Sequence, residues 1–132
     1  MKLLLDTHIL LWVIGKTDEL SEKVKHEIEN PDNSILISAV SLWEIALKFS
    51  LGKLNVNFDI QKIPEYCRKM LFEFLPLNPE EALMSLHLPQ KMNHKDPFDR
   101  MLIYQCLTNG YILVSKDKRI EQYEKEGLKL IW

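Results

Sequence analysis

Asp96 and Asp99 stand together in the stretch His94-Lys95-Asp96-Pro97-Phe98-Asp99-Arg100, directly before the apolar run "MLIYQCLTNGYILV". Three further acids occupy comparable places. Asp6 closes the run "KLLL", Glu44 lies early in the helical pattern that follows "SILIS", and Asp117 follows "YILVSK". Carboxylates gathered at one point in a low dielectric repel one another, which raises their pKa values unless a cation is present. A hard divalent ion is the usual resolution, and Mg2+ or Mn2+ suits sites built from carboxylates and water. Ions held in this way do phosphoryl chemistry, by activating water and stabilising charge on the transferred group.

Each acid also has a purely structural reading. Asp96 before Pro97 is the expected N-cap with proline at the first helical position. Asp99 can complement the helix dipole. Glu44 closes a capping-box pattern, "SLWE", with Ser41 as the cap, and it can pair with Lys48 one turn later. Asp117 can cap a helix over "KRIEQYEKE". Asp6 is the hardest to dismiss, because an acid ending a buried strand needs a partner. The set is stronger than any of its members.

The elements that must position these acids alternate. Short apolar runs at 2–5, 34–38, 72–77, 111–115 and 128–132 read as buried parallel strands. Helical patterns cover 8–14, 21–29, 39–51, 60–70, 79–87, 97–109 and 118–125, with Ser21 and Asp59 as N-caps. Pro64 predicts that the 60–70 helix is kinked or starts late. All four glycines (Gly15, Gly52, Gly110 and Gly127) fall just after helical patterns, where a left-handed residue commonly ends a helix. Alternation of this kind implies a parallel sheet covered on both faces, an α/β sandwich that binds ligands beyond the carboxyl ends of its strands. Asp6, Glu44, Asp96, Asp99 and Asp117 would all arrive at that edge.

A length of 132 residues fits a single domain spanning 1–132, with no repeats or linkers. The net charge of −2 excludes attachment to nucleic acid by bulk positive charge, while leaving room for a local basic rim. The start, "MKLLLDTHILLWVIG", superficially resembles a signal peptide, but Asp6 and His8 interrupt its apolar run, so it reads as mature structure. No segment approaches the ~20 apolar residues that span a bilayer. Cys67 and Cys106 lie within helical patterns and read as buried free thiols, as expected of a protein in a reducing cytoplasm.

Four segments, "LLLDTHILLW", "ISAVSLWEIALK", "HKDPFDRMLIYQC" and "ILVSKDKRI", occur in this order with a spacing that resembles the PIN-domain ribonucleases. In particular it resembles the VapC-like toxins of type II toxin–antitoxin modules, and "DPFDR" is specific to one subgroup of them. The resemblance runs through nearly the whole chain. It implies a PIN-like three-layer α/β/α sandwich with a mainly parallel five-stranded sheet, and a Mg2+ or Mn2+ site that cleaves RNA. By position, the family's four acids fall on Asp6, Glu44, Asp99 and Asp117, as catalytic and metal-holding residues. Thr7 and Ser115 match small hydroxyl positions beside the site. Asp96 is the extra acid of the subgroup, with a supporting role. The resemblance further implies a cognate antitoxin and a homodimer, for which apolar helix faces such as "ILLWVI" and "SLWEIALKF" are available. Lys116, Lys118 and Arg119 flank Asp117 and can meet an RNA backbone. Arg100 can pair with Asp96 or a neighbouring acid and fix the cluster. His94 reads as a loop residue, with nothing to mark it as a general base.

Rival chemistries fit less well. A receiver-like domain needs an adjacent acidic pair after the first strand and a phospho-accepting Asp after a central one; here the first strand ends in one acid and "FEFLPLNP" in none. A haloacid-dehalogenase-type phosphatase needs an acid where His8 stands, and a nucleotide-binding fold needs a Gly-rich loop. Two alternatives stay open within the fold: a nuclease for DNA or structured nucleic acid outside a toxin–antitoxin system, and a non-catalytic PIN-like binding module. The second would be expected to lack one of the acids.

Overall fold

The computed structural model describes all 132 residues. β1 (Lys2–Leu5) is a leucine run whose residues are fully buried from Leu3 onward, and it occupies the centre of the sheet. Such a strand is apolar on both sides because both faces of the sheet are covered. β2 (Ser34–Ser38), β3 (Glu73–Leu75), β4 (Ile112–Val114) and β5 (Lys129–Ile131) complete a five-stranded sheet in the order β3-β2-β1-β4-β5, with every pairing parallel. Leu3 lies opposite Ile35 of β2, and Leu4 opposite Leu113 of β4. β3, β4 and β5 are shorter than the apolar runs that announce them.

The alternation of side chains divides the core in two. Leu3, Leu5, Ile35, Ile37 and Val114 pack under α1 (Thr7–Gly15), α2 (Glu22–Glu29) and α4 (Ile63–Lys69). Leu4, Leu36 and Leu113 pack on the opposite face, under α6 (Pro97–Asn109) and the 3-10 helix at Lys118–Glu126. α3 (Ala39–Ser50) contributes to both, through Ile45 on one side and Val40 on the other. The result is the expected α/β/α sandwich. α5 (Pro79–Met84) stops early and continues as a 3-10 turn at Ser85–His87. Pro64 has its expected effect: a 3-10 turn at Ile60–Lys62 precedes α4, with the proline in the first turn. Cys67 and Cys106 are free and buried. No helix is long and apolar enough to cross a membrane.

Gly15 departs from expectation. It is the last residue of α1 and lacks the left-handed conformation of Gly52, Gly110 and Gly127. Its reason is space: a Cβ there would lie 2.5 Å from Asn57 Oδ1 and 2.8 Å from the Phe58 ring, which packs against the core. Asn57 Nδ2 also donates to the Gly15 carbonyl at 3.3 Å. Gly15→Ala is expected to cost about 1–3 kcal/mol, the range for forcing a methyl into a filled contact. Denaturant titration checks this, and an unchanged midpoint would contradict the packing described.

Candidate active site

The strand order places β1 and β4 side by side at the point where the chain, having built outward through β2 and β3, crosses back. This is the switch point at which open α/β sheets bind ligands. Asp6 follows β1 directly, and its N–H donates to Val114 O at 3.0 Å, stitching it to β4. Its carboxylate accepts from the Ser115 hydroxyl at 2.6 Å and, as the cap of α1, from the His8 N–H at 3.3 Å. Burial nevertheless pushes the Asp6 carboxyl above its ordinary value, against the opposing effect of Ser115. Ser115 in turn accepts from the Asp117 N–H at 3.1 Å, so one hydroxyl orders two acids.

Glu44 enters from the second turn of α3 and is buried. It accepts from the Thr7 hydroxyl at 2.6 Å and pairs with the Lys48 ammonium one turn on. The Thr7 hydroxyl also lies 3.0 Å from that of Ser41. Asp96 caps α6, accepting from the N–H groups of Phe98 at 2.9 Å and Asp99 at 3.1 Å, with Pro97 next. Asp117 caps the 3-10 helix that follows it and is clamped by Arg119, with Nη2 at 2.8 Å and Nε at 3.1 Å. The guanidinium holds the Asp117 carboxyl below the usual carboxylate range.

Asp99 differs from these four in accepting no hydrogen bond from the protein. It is largely buried, and burial pushes its carboxyl up to about 8, with the charges of Asp6, Asp96, Glu44 and Asp117 adding to the shift. All five acids line one cleft of roughly 460 Å³, together with His8, Trp12, Lys48, Lys116, Lys118 and Arg119. The basic residues form a rim around an acidic floor. Lys116 is held over the rings of Trp12 and Trp132, its Nζ 5.7 and 5.4 Å from their centroids, a cation–π arrangement that fixes a long side chain at the mouth.

Three expectations fail here. Arg100 does not pair with Asp96 or with any acid: it donates to the carbonyls of Leu88 at 2.9 Å and Pro89 at 3.1 Å, and to the Tyr123 hydroxyl at 3.0 Å. Its side chain tethers the segment before α6 instead of bracing the cluster. Ser41 is not the cap of α3, since the helix begins two residues before it and Ser38 caps it by accepting from the Val40 N–H at 3.1 Å. Glu44 thus has no capping duty. His94 is no ordinary loop residue. It is fully buried, with Nδ1 2.7 Å from the Tyr123 hydroxyl and Nε2 3.5 Å from Asp99 Oδ2. Burial pulls its imidazole below the ordinary value, more than the nearby Asp117 raises it. The only sequence signal for His94 was its position two residues before the Asp-Pro cap.

The donor set fits a divalent cation. Its oxygens are hard, Asp99 is held without a protein partner in a partly desolvated place, and potential ligand atoms of Asp99, Asp117 and His94 lie within 4.8 Å of one another. A doubly charged ion would relieve the repulsion that drives Asp99 upward.

The PIN domain family model matches residues 3–126. The chain is 24% identical to Ribonuclease VapC22 of Mycobacterium tuberculosis over 133 aligned positions, covering 98% of this chain and 97% of the relative. Two solved structures share the fold at 18% identity. VapBC2 from Rickettsia felis, bound to a DNA fragment from its promoter, superposes with a TM-score of 0.68 over 99% of this chain and 98% of its own. VapBC-1 from nontypeable Haemophilus influenzae gives 0.67 over 99% and 97%.

The state of Asp99 has a measurable consequence. With a folded value near 8 and an ordinary value of 3.8, the metal-free protein draws stability from a protonated Asp99. That stability is complete in acid below the ordinary value and lost as pH rises through about 8. Asp99→Asn removes this dependence, so the metal-free variant should be the more stable of the two above about pH 8 and gain nothing in acid. Mg2+ should stabilise the wild type and not the variant. Thermal unfolding across pH, with and without Mg2+, checks both expectations.

Proposed function

The chain belongs to the PIN domain family, and from that premise we propose that it is a Mg2+- or Mn2+-dependent endoribonuclease, the toxin of a toxin–antitoxin pair. One observation carries the proposal. Asp6, Glu44, Asp99 and Asp117, brought in by four separate elements, line a single cleft at the switch point of the sheet. A non-catalytic module has no need to hold such a costly set of carboxylates together. The name of the relative from Mycobacterium tuberculosis favours RNA as substrate. The VapBC structures favour a partner protein.

In this reading Asp6, Glu44, Asp99 and Asp117 hold the ion. When bound, it supplies the Lewis acidity that activates a water and stabilises charge on the phosphoryl oxygens. Thr7 and Ser115 orient Glu44 and Asp6, each through a 2.6 Å hydrogen bond. Asp96 acts through the helix start and not on the substrate. Lys116, braced on two indoles, and Lys118 meet the phosphate backbone at the rim. Arg119 is engaged with Asp117, so its contact with phosphate comes at the expense of that clamp.

For a second copy of the chain, α3 offers exposed Trp43 and Leu47 one turn apart. The "ILLWVI" stretch offers little, because Ile9, Leu10 and Leu11 are buried and Trp12, Val13 and Ile14 pack against them. Two unpaired thiols suit the reducing cytoplasm in which such a toxin would act.

Incubation with purified RNAs and with single-stranded DNA, with and without Mn2+, should yield metal-dependent cuts in RNA that sequencing can map. Asp6→Asn and Asp99→Asn should each lower the rate by about 10²–10³-fold or more, as loss of a preorganised electrostatic group does. Asp96→Asn should leave it within a few-fold, because Asn caps as well as Asp. Retained activity in both of the first two variants, or cleavage that survives exhaustive chelation, would falsify the metal-site assignment.

A further inference from the structure

His94 Nε2 is buried without a hydrogen-bond partner, and the atom it faces is Asp99 Oδ2, at 3.5 Å. An orphaned polar atom in a native interior calls for an explanation. Two explanations compete. Either Nε2 is a bare lone pair waiting to ligate a cation alongside Asp99 and Asp117, or it carries a hydrogen and serves the Asp99 carboxylate.

The hydrogen bonds on the other side of the ring decide between them. The Tyr123 hydroxyl has two partners, Arg100 Nη1 at 3.0 Å and His94 Nδ1 at 2.7 Å. Arg100 can only donate, so the phenol oxygen accepts from it. The single phenol hydrogen then has one acceptor within reach, His94 Nδ1. A neutral imidazole that accepts at Nδ1 carries its proton on Nε2. The opposite tautomer would leave the buried phenol hydrogen without an acceptor, an unsatisfied donor in the interior. With the proton on Nε2, the phenol hydrogen is satisfied and an N–H faces Asp99.

We propose that His94 is the positioning residue of Asp99. An ordered line of hydrogen bonds, Arg100 to Tyr123 to His94, presents Nε2–H to one Asp99 oxygen and leaves the other free for the cation, and His94 is not itself a metal ligand. The inference rests on the reading of Asp99 as a metal-holding carboxylate. It also gives Arg100 a purpose that pairing with an acid does not: by donating to Tyr123, it sets the direction of the hydrogens two side chains away. The same side chain tethers Leu88 and Pro89, so the segment that carries His94 and the line that orients it share one anchor.

Long-range 1H–15N spectra of the full chain read the tautomer directly. The expected result is Nε2–H at His94, with Nε2 keeping its proton when Mg2+ is added, and a mixture of tautomers in Tyr123→Phe. Nδ1–H in the wild type, or an Nε2 that loses its proton on addition of Mg2+, overturns the proposal. Calorimetric titration with Mg2+ should show binding about 10–100-fold weaker in His94→Ala, the usual cost of losing the partner of a ligand. His94→Gln, which can place an amide N–H near Nε2, should recover most of it. Wild-type affinity in His94→Ala, or a Gln variant no better than Ala, also overturns it. Because none of these readouts requires cleavage, a chain that cuts no RNA would count against the proposed activity and leave the His94 assignment to stand or fall by itself. The wild-type spectrum decides the tautomer even if the alanine variant does not fold.

Discussion

Carboxylates drawn partly out of water repel one another, and the carboxyl edge of this sheet is arranged around that cost. Four of its five acids are compensated by donors from their own neighbourhood. Asp6 has Ser115 and the first turn of α1, Glu44 has Thr7 and Lys48, Asp96 has the N–H groups of α6, and Asp117 has Arg119. Those donors lie within a few residues of the acid they serve, except for Thr7, on α1 beside α3, and Ser115, across one strand pair. Asp99 is left with the repulsion of all the others, and its position at N3 of α6 is set by the very cap that adds a negative charge beside it. A helix N-terminus favours negative charge there, but only by about 0.3–1 kcal/mol at ordinary sites, too little to offset this burial.

This uneven compensation separates the roles of Asp96 and Asp99 within one turn. Asp96 spends its lone pairs on backbone N–H groups, and in doing so it aims the side chain three residues on. Asp99 gives no lone pair to the backbone. The same division holds across the sheet, where the hydroxyls of Thr7 and Ser115 face the compensated acids and a buried imidazole faces the uncompensated one.

The frame was legible because it rests on local signals: leucine and isoleucine runs for buried strands, Asp-Pro for the start of α6, and a late start for α4 at Pro64. The convergence of the acids followed from topology, since parallel strands deliver their ends to one edge. Expectations failed where a residue type admits several partners and tertiary distance chooses among them. Ser41 matched a capping-box pattern, yet Ser38, at the end of β2, was nearer to the first free N–H. Arg100 stood four residues from Asp96, but its fork found two carbonyls and a phenol across the loop. Gly15 sat where a left-handed residue would suit, while the real constraint came from Asn57 and Phe58, more than forty positions away. His94 was the deepest omission, because its meaning lies in Tyr123, 29 residues on.

The 2.6 Å bond between Asp6 and Ser115 joins residues separated by 109 positions. During synthesis Asp6 leaves the ribosome 109 positions ahead of Ser115, which follows the strand that completes its surroundings. Until β4 docks against β1, the nascent chain holds Asp6 without its bond to Ser115. The cleft therefore forms only once β4 and the residues just after it have been made, and a chain stopped before them would lack it.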